Sequence, residues 1–444
     1  MAQPKIIVLD DDPTGSQTVH SCLLLMRWDE ATLRQGLQDN SPICFVLTNT
    51  RALSPTAAEQ VTRQVCQNLK RAIALEGIQD FLIVSRSDST LRGHYPIETD
   101  AIAAGLGPFD AHFLVPAFFE GGRITRDSRH YLLVNGVPTP VEQTEFARDS
   151  VFGYSTGYLP DYVAEKTRDR ITADQVQRFT LPELRQGCLD RLLGLQGNTC
   201  CVVDGETQAD LDGFAQDVLT AASRGKRFLF RSAASLLTAL ADLPPQPIQA
   251  DHMGRYVRGK APGVVVVGSH VQKTTQQLQQ LLLEPGVTGI PVDVAQLQEH
   301  GTLSRDDLLG QILQQVRVVY DQGQTPVLYT SRQELSFPTV EARLDFGSQV
   351  SALLMAVIQG LPRDMGFLIS KGGITSNDTL STGLALTSAR LLGQILPGVS
   401  VVRTPAHHPQ FPDLPVVLFP GNVGDDQALV TVYQRLRSEG MGSS

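Results

Sequence analysis

Three consecutive aspartates follow the first apolar run of the chain, and they are the residues best suited to carry out chemistry. Residues 6–9 are long enough for a buried strand, so Asp10, Asp11 and Asp12 are expected at its carboxyl end. Adjacent carboxylates repel one another, so the cluster is costly unless a metal, a donor-rich ligand or a proton-transfer step uses it. A solvated acidic turn is the alternative interpretation.

A second polar segment, residues 85–93, also follows an apolar run and contains two arginines, an aspartate and four hydroxyls. The guanidinium of Arg92 is a planar fork that fits a carboxylate or a phosphate. Ser89 and Thr90, which follow Asp88, can donate to the same anion or to sugar hydroxyls. A surface turn with an internal Asp–Arg ion pair is the alternative.

Residues 119–129 continue this polar pattern with two adjacent glycines and three arginines. The glycines permit close approach of the backbone to a ligand, and Arg123 can help to hold an anion. An ordinary solvated loop explains the same residues equally well.

Three glycine-bearing loops follow apolar runs in the second half of the chain. Backbone N–H groups in such loops, with a helix start behind them, form a cradle for anions, and Lys371 adds a positive charge. Together they predict a nucleotide site. The expected contacts are Ser269, Lys371, Gly372, Gly373, Ile374, Thr375, Gly421, Asn422 and Gly424. The sequence has no P-loop motif, and the absence of G-x-G-x-x-G after a first strand weakens an NAD(P) interpretation.

The composition is that of a soluble globular protein, with 444 residues, 42% hydrophobic residues and a net charge of −9. The negative charge argues against nucleic-acid or anionic-membrane partners. None of the six cysteines has metal-binding spacing, so reduced thiols and a cytoplasmic location are expected. No stretch reaches 18 apolar residues. No cage of metal ligands is visible, so any divalent ion is expected to arrive with nucleotide phosphates.

The order of patterns predicts an α/β fold with two domains, each a mainly parallel sheet flanked by helices. In the first half, strands are predicted at residues 6–9, 22–26, 43–47, 81–84 and 112–115. A helix is predicted to begin after Ser54, with Pro55 as its first residue, and to end at Gly77. Polar loops follow four of these strands, so they can converge at one edge of the sheet.

Residues 241–263 are rich in proline, glycine and charge, and we interpret residues 246–262 as a linker between domains 1–245 and 263–444. In the second domain, strands are predicted at residues 264–267, 289–292, 327–329, 367–369, 399–402 and 416–419. Helices are predicted at residues 272–283 and 345–359. Residues 160–240 are weakly patterned and carry little functional information.

These motifs resemble those of the four-carbon acid sugar kinase family, which includes 3-oxo-tetronate, threonate and erythronate kinases. The match is most specific for Asp-Ser-Thr-Leu-Arg-Gly at residues 88–93. The D-D-x-T-G motif is similar to residues 11–15, the P-A-F…G-R segment to 116–123, and the G-S motif to 268–269. The G-G-E-T and K-x-G-N-F-G loops resemble residues 372–375 and 419–424, with Ile374 and Phe419 as departures. We expect Lys371 to supply the charge lost at position 419.

The resemblance implies a sugar-acid domain, a nucleotide domain and an active site in the cleft between them. It implies transfer of the γ-phosphoryl group of ATP, with Mg²⁺, to the terminal hydroxyl of a four-carbon sugar acid. The implied substrate-binding residues are Asp88, Ser89, Thr90, Arg92 and Arg123. Arg92 is also expected in the catalytic machinery, and Asp12, with Asp11 as the alternative, is expected to accept the hydroxyl proton.

Two other functions remain open from the sequence. In a phosphatase of the haloacid-dehalogenase type, Asp10-x-Asp12-x-Thr14 would be the nucleophile motif and residues 424–426 a metal motif. Asp10 would attack a phosphate, and Mg²⁺ would sit between the carboxylates. These motifs are more than 400 residues apart, and this interpretation leaves residues 88–93 and 372–375 unexplained. A non-catalytic sugar-acid-binding protein is the other alternative, and association into a homo-oligomer is also left open.

Overall fold

The structure is a computed structural model that describes residues 3–298, 303–332, 337 and 339–437. It divides the chain into two units, Met1–Pro245 and Gln246–Ser444. Each unit contains a mainly parallel sheet flanked by helices, so the predicted α/β class is confirmed. No helix in the described part of the chain combines the length and the apolar composition that a membrane span requires.

The first unit is built on a parallel sheet with the strand order β2-β3-β1-β4-β11-β5-β10-β9, and β6, β7 and β8 form a separate antiparallel sheet. Its described strands are β1 (Lys5–Asp10), β2 (Leu23–Leu25), β3 (Ile43–Leu47), β4 (Phe81–Arg86), β5 (Ala111–Val115), β6 (Arg123–Arg126), β7 (Arg129–Val134), β8 (Val137–Pro140), β9 (Gln177–Phe179), β10 (Thr199–Val203) and β11 (Phe228–Ser232). Its helices are α1 (Glu30–Gln38), α2 (Pro55–Glu76), α3 (Ile97–Leu106), α4 (Leu159–Thr167), α5 (Leu181–Gln186), α6 (Leu189–Gly194), α7 (Gln208–Ser223) and α8 (Ala234–Ala241).

Helix α2 begins and ends at the residues that the sequence predicts. The Ser54 hydroxyl accepts a hydrogen bond from the N–H of Ala57, and Pro55 is the first helical residue. Gly77 ends the helix with φ of 64°, a left-handed conformation that glycine adopts at little cost. The local sequence therefore determines both ends of this helix.

The register of the central strands brings the predicted polar loops of the first unit to one edge. Asp10 on β1 pairs with Leu47 on β3 and with Arg86 on β4. On the far side of β4, Arg86 pairs with Ser232 on β11. Because these strands are parallel, the segments that follow them leave the sheet at the same edge.

The second unit has the strand order β13-β14-β12-β15-β18-β17-β16, with β17 antiparallel to both of its neighbours. Its described strands are β12 (Val264–Val267), β13 (Val287–Val292), β14 (Thr325–Thr330), β15 (Leu368–Lys371), β16 (Ser388–Leu396), β17 (Val399–Arg403) and β18 (Pro415–Phe419). Its helices are α9 (Gln272–Leu281), α10 (Arg305–Asp321), α11 (Val340–Gln359), α12 (Gly373–Asp378) and α13 (Ala428–Arg437).

Several strands of the protein have no counterpart among the sequence predictions. Strands β10 and β11 lie inside the main sheet of the first unit, although they come from the region that we interpreted as weakly patterned. Strand β16 and the antiparallel sheet were also not predicted. These strands are short or irregular in pattern, so neighbouring strands rather than local periodicity define them.

Residues 246–262, which we interpreted as a linker, contain a 3₁₀ helix at Ala250–Tyr256. Met253 in this helix is fully buried in the core of the second unit. Gln246 also exchanges hydrogen bonds with the backbone of Gln394, at 3.1 and 3.0 Å. The segment is therefore packed into the second unit.

Candidate functional site

The three aspartates after β1 lie in three different environments. The side chains of Asp10 and Asp11 are buried, whereas that of Asp12 is 23% exposed. Burial raises the pKa of Asp10 to about 8 and also raises the pKa of Asp11. Burial alone would raise the pKa of Asp12, but the guanidinium groups of Arg51 and Arg86 and hydrogen bonds from Thr14 outweigh it and lower that pKa. Asp12 is therefore the ionised and accessible carboxylate of the cluster.

Arg51 binds both Asp11 and Asp12. Its Nε donates to Asp11 Oδ2 at 3.1 Å, its Nη2 donates to Asp11 Oδ1, and its Nη1 donates to Asp12 Oδ2 at 3.2 Å. Asp88 Oδ1 lies 3.9 Å from the same Nη1. Arg51 was not among the site residues expected from the sequence.

Arg86, the last residue of β4, contributes a second guanidinium to the aspartate cluster. Its Nη1 lies 3.6 Å from Asp10 Oδ1 and 3.8 Å from Asp11 Oδ1. The two arginines offset part of the mutual repulsion of the three carboxylates.

Two glycines of the matched motifs are required by close packing. A Cβ on Gly15 would lie 2.1 Å from Asp10 Oδ1. A Cβ on Gly93, which has φ of 127°, would lie 2.5 Å from Arg231 Nη2. Both glycines therefore allow the polar loops to pack directly against the charged cluster.

In the loop after β4, Asp88 bonds to Thr90 and Arg92, so the internal Asp–Arg ion pair of the alternative interpretation is present. Asp88 Oδ2 accepts hydrogen bonds from Arg92 Nε at 2.9 Å and from the N–H of Thr90 at 3.2 Å. Burial would raise the pKa of Asp88, but Arg51 and Arg92 hold it well below its usual range. Asp88 is therefore a permanent anion that orients the Arg92 side chain.

The guanidinium of Arg92 is held on a second side by residues that the sequence analysis did not single out. It lies 4.8 Å from the centroid of the Phe146 ring, and its Nη1 is 3.7 Å from Asp149 Oδ2. The side chain remains 28% exposed. A fixed, partly exposed guanidinium can bind an anionic ligand without losing much rotamer entropy.

Arg123 presents a buried donor close to this loop. Its Nη1 donates to the carbonyl of Gly121, and its Nε is buried without a hydrogen-bond partner among the described residues. Burial lowers the pKa of Arg123, while the charge of Asp88 raises it. A buried guanidinium nitrogen without a partner is costly, so the position suits an anion or a hydroxyl as ligand.

Arg231 on β11 supports the cluster from the unpredicted part of the sheet. Its Nη1 donates to Glu98 Oε2 at 2.6 Å and to Ser85 Oγ at 2.7 Å. The other oxygen of Glu98 accepts from the Thr50 hydroxyl. No local motif points to Arg231, because its partners come from β4 and α3.

In the second unit, the first two glycine-bearing loops touch each other. A Cβ on Gly268 would lie 2.2 Å from Thr375 Oγ1, and one on Gly372 would lie 3.1 Å from Ser269 Cβ. Gly372 has φ of 125° and immediately precedes α12, which starts with Gly373 and Ile374. The N–H groups at such a helix start have no intrahelical partner and can bind an anion.

The third loop is tied to the first by side chains of α9. The Thr274 hydroxyl lies 3.1 Å from both Ser269 Oγ and the Gly421 carbonyl oxygen. Gln277 Nε2 donates to the carbonyls of Val423 and Asp425 at 3.0 and 2.7 Å. Asn422 and Gly424 are exposed in this loop. The three predicted loops therefore form one connected surface within the second unit.

We expected Lys371 to present its charge to a nucleotide, but its side chain points into the protein. The residue is fully buried, and its Nζ donates to the carbonyl of Pro420 at 2.7 Å. The ammonium also lies 3.7 Å from the centroid of the Phe419 ring. Burial lowers the pKa of Lys371 to about 7. The geometry shows Lys371 holding the backbone of the third loop.

A cavity of about 820 Å³ lies beside these loops, within the size range of small-molecule sites. Its wall combines apolar and charged side chains. The lining residues include Gly268, His270, Arg332, Phe346, Leu354, Met355, Ile374, Thr375 and Asp378. Ile374 is 72% exposed, so an apolar side chain is presented to solvent where the motif has glutamate. Within the described ranges, no group of three His, Cys, Asp or Glu side chains could hold a metal ion.

Both units match family models in the order that the sequence predicts. A model of the sugar-binding N-terminal domain matches residues 6–240, and a model of the nucleotide-binding C-terminal domain matches residues 264–429. The chain belongs to the four-carbon acid sugar kinase family. The resemblance found in the sequence is thus confirmed.

Two curated members of the family are similar to this chain. It is 27% identical over 453 aligned positions to D-erythronate kinase of Heliobacterium modesticaldum, and the alignment covers 97% of each chain. It is 28% identical over 168 positions to D-threonate kinase of Bordetella bronchiseptica, covering 36% of this chain and 39% of that one.

Two solved structures share the fold. A Salmonella typhimurium LT2 protein, provisionally described as a tRNA synthase, has a TM-score of 0.70 and 18% identity over 97% of this chain and 98% of its own. A Haemophilus influenzae protein has a TM-score of 0.66 and 16% identity over 98% of this chain and 100% of its own. At these identities the similarity establishes the fold alone.

The phosphatase interpretation finds no support in these comparisons, since both curated relatives are kinases. The geometry also argues against it. Asp10 would be the nucleophile, but it is fully buried, and a pKa near 8 leaves it mostly protonated at neutral pH. A protonated carboxyl group is a poor nucleophile.

Proposed function

We propose that this protein is an ATP-dependent kinase that phosphorylates the terminal hydroxyl of a four-carbon sugar acid. The observation that carries the proposal is the match of both units to the family models, together with 97% coverage of a D-erythronate kinase. Such a reaction needs one site for the carboxylate of the acid and one for the phosphates of ATP. The loop after β4 in the first unit suits the carboxylate, and the glycine-bearing loops of the second unit suit the phosphates.

The carboxylate end of the substrate is assigned to the loop after β4. Arg92 and Arg123 carry the positive charge, and Ser89 and Thr90 are the neighbouring hydroxyls. The buried Nε of Arg123 and the oriented guanidinium of Arg92 support this assignment. Binding the carboxylate fixes which hydroxyl faces the nucleotide, and this positioning accounts for much of the rate.

Asp12 is assigned as the carboxylate that accepts the hydroxyl proton at one of its Oδ atoms. Its side chain is partly exposed, and its pKa is lowered, so it is ionised at neutral pH. Asp11 is bound by two nitrogens of Arg51, and Asp10 is buried, so neither is as well placed to accept a proton. In phosphoryl transfer such a carboxylate mainly orients the nucleophile.

ATP is assigned to the cavity beside the glycine-bearing loops. The volume of about 820 Å³ and the apolar wall suit a nucleotide, and the N–H groups at the start of α12 suit its phosphates. Mg²⁺ would offset the charge of the phosphates. Asp378, an acidic side chain in the cavity wall, fits a role in holding that ion. We place the reaction in the cytoplasm because all six cysteines are buried free thiols.

The proposal is tested by measuring ADP production from Mg·ATP with a panel of four-carbon sugar acids. The panel contains D- and L-threonate, D- and L-erythronate and the oxo-tetronates. Turnover with at least one acid is expected, and it should be lost in Arg92→Ala and Asp12→Asn. Arg34→Ala, at an exposed surface ion pair, is the matched control and should retain activity.

Absence of turnover with every acid would contradict the proposal. Phosphate release from a phosphomonoester in the same preparation would instead favour the phosphatase interpretation.

A further inference from the structure

Three consecutive carbonyl groups of the proposed sugar-acid loop each accept a hydrogen bond from a different side chain. His130 Nε2 lies 2.7 Å from the carbonyl oxygen of Ser89. The Tyr154 hydroxyl donates to the carbonyl of Thr90 at 2.8 Å, and the Tyr162 hydroxyl donates to the carbonyl of Leu91 at 2.8 Å. The backbone of the loop is therefore held at every residue between Asp88 and Arg92.

This stretch needs such partners because it lies outside the sheet and is buried. Ser89, Thr90 and Leu91 are at most 7% exposed, so their carbonyls have little access to water. A buried carbonyl without a partner is costly. Leu91 also has φ of 67°, a left-handed conformation that a leucine rarely adopts without support from its surroundings.

All three donors follow the matched motifs of the first unit, which end at residue 123. His130 lies on β7 of the antiparallel sheet, Tyr154 lies in the loop before α4, and Tyr162 lies on α4. Residues 130–162 contain no strand of the main parallel sheet, and no function was expected of them from the sequence. Its contacts with the loop give it one.

Each of the three side chains keeps the proton that it donates. Burial lowers the pKa of His130 to about 4, so the ring is neutral, and Thr125 Oγ1 lies 2.9 Å from its Nδ1. The Nε2–H tautomer then donates to Ser89 while Nδ1 accepts from the threonine hydroxyl. Burial also raises the pKa of both tyrosines, so their hydroxyls stay protonated.

The donors are themselves fixed by packing. The rings of Tyr154 and Tyr162 meet edge to face with centroids 5.7 Å apart, and the ring of Tyr95 stacks on Tyr162 at 6.0 Å. Each of the three tyrosines is buried. Aromatic pairs of this geometry have few alternative arrangements, so the hydroxyls are held in place before a ligand binds.

We infer that His130, Tyr154 and Tyr162 are positioning residues for the sugar acid, which they influence by fixing the backbone that carries Ser89, Thr90 and Arg92. The inference rests on the proposed function. None of the three needs to touch the substrate. Their effect is to pre-organise the loop, so losing one donor weakens binding of the acid more than binding of ATP.

The test compares Tyr154→Phe, Tyr162→Phe and His130→Phe with the wild type in the ADP assay. The matched control is Tyr95→Phe. Among the described residues, the Tyr95 hydroxyl has a 4.0 Å contact with Cys200 Sγ and no hydrogen bond to a carbonyl of the loop. Each of the three variants should raise the KM for the sugar acid about 3- to 10-fold, the range of one net hydrogen bond. The KM for ATP should stay within about twofold, and the control should leave both values unchanged.

An unchanged KM for the acid, with only a lowered melting temperature, would show a purely structural role and overturn the inference. An equal rise in both KM values would overturn it too. If His130→Phe does not fold, the two tyrosine variants decide, since each removes a single oxygen atom. A wild type that turns over no acid would overturn the proposed function and this inference with it. If the wild type is active and the variants have unchanged KM values, the inference alone would be overturned.

Discussion

The ammonium group of Lys371 lies against the ring of Phe419, 3.7 Å from its centroid, at the ends of two adjacent strands. Lys371 on β15 pairs with Phe419 on β18 in the parallel register. The same ammonium donates to the carbonyl of Pro420 at 2.7 Å. A buried lysine thus connects the start of the second glycine-bearing loop with the start of the third.

The burial of Lys371 predicts a pH-dependent cost in stability. Its folded pKa is about 7, below the usual 10.5, so between these values the unfolded chain binds more protons. The cost is full below pH 7 and disappears as the pH rises to 10.5. Lys371→Met lacks this cost. Its stability advantage over wild type should therefore be largest near pH 7 and should shrink by roughly 1.4 kcal/mol per pH unit as the pH rises to 10.5.

Urea unfolding of wild type and Lys371→Met at pH 6.5 to 10 measures this difference. Lys260→Met, at an exposed lysine of the same unit, is the control and should show no such trend. A stability difference that stays constant with pH would contradict the prediction.

The orientation of Lys371 also predicts an effect on nucleotide binding through the third loop. Lys371→Ala removes the donor to the carbonyl of the half-buried Pro420. The loop should shift, and the affinity for ATP should fall about tenfold. Isothermal titration with a non-hydrolysable ATP analogue measures this, with Lys260→Ala as the control. An unchanged affinity would show that the loop does not depend on the lysine.

The buried carboxyl of Asp10 predicts a pH dependence of the opposite kind in the first unit. Its folded pKa is about 8 and its usual value is 3.8, so between these values the folded protein binds more protons. Wild-type stability from this group falls as the pH rises from 4 to 8. Asp10→Asn should therefore gain stability relative to wild type across that range, by up to roughly 1.4 kcal/mol per unit.

Thermal unfolding at pH 5, 6.5 and 8 would record this trend for Asp10→Asn. Asp190→Asn, at an exposed carboxylate, is the control. A relative stability that declines towards pH 8 would mean that Asp10 is charged in the folded protein.

The different environments of Asp11 and Asp12 predict that substituting them has different effects. Asp12→Asn should lower kcat about 10²- to 10⁴-fold with little loss of stability, because it removes an accessible proton acceptor. Asp11→Asn should cost about 1–3 kcal/mol of stability, because one of the two hydrogen bonds that Arg51 donates to this side chain loses its acceptor, while Asp12 and Asp88 still lie near the guanidinium. Steady-state kinetics and urea unfolding of both variants separate the two roles. If Asp11→Asn were stable and inactive while Asp12→Asn stayed active, the assignment of the proton acceptor would be reversed.

The packing of Gly93 predicts that even a methyl group disrupts the aspartate cluster. Gly93→Ala places its Cβ 2.5 Å from Arg231 and forces a positive φ on alanine, so a loss of about 1–3 kcal/mol is expected. Gly194→Ala is the control, because its Cβ meets open space within α6 and should be neutral or slightly stabilising. Differential scanning calorimetry of both variants measures the contrast.

The sequence by itself determined the features that depend on neighbouring residues. Apolar runs marked β1, β3, β12 and β18, and Ser54, Pro55 and Gly77 marked the ends of α2. It also identified the aspartates and the loop at residues 88–93, because each follows its strand directly. Local pattern is sufficient here, since strand burial and helix capping act over a few residues.

The tertiary structure alone decided which side chains meet. Arg51 binds the aspartate cluster and Arg231 binds Ser85 and Glu98 beside it, and no local pattern distinguishes these two residues from other arginines. Tyr154 and Tyr162 bind carbonyls 64 and 71 residues earlier in the chain. The direction of Lys371 depends on the pairing of β15 with β18. Such contacts arise from strand order and packing between distant segments, and for that reason the sequence pattern did not reveal them.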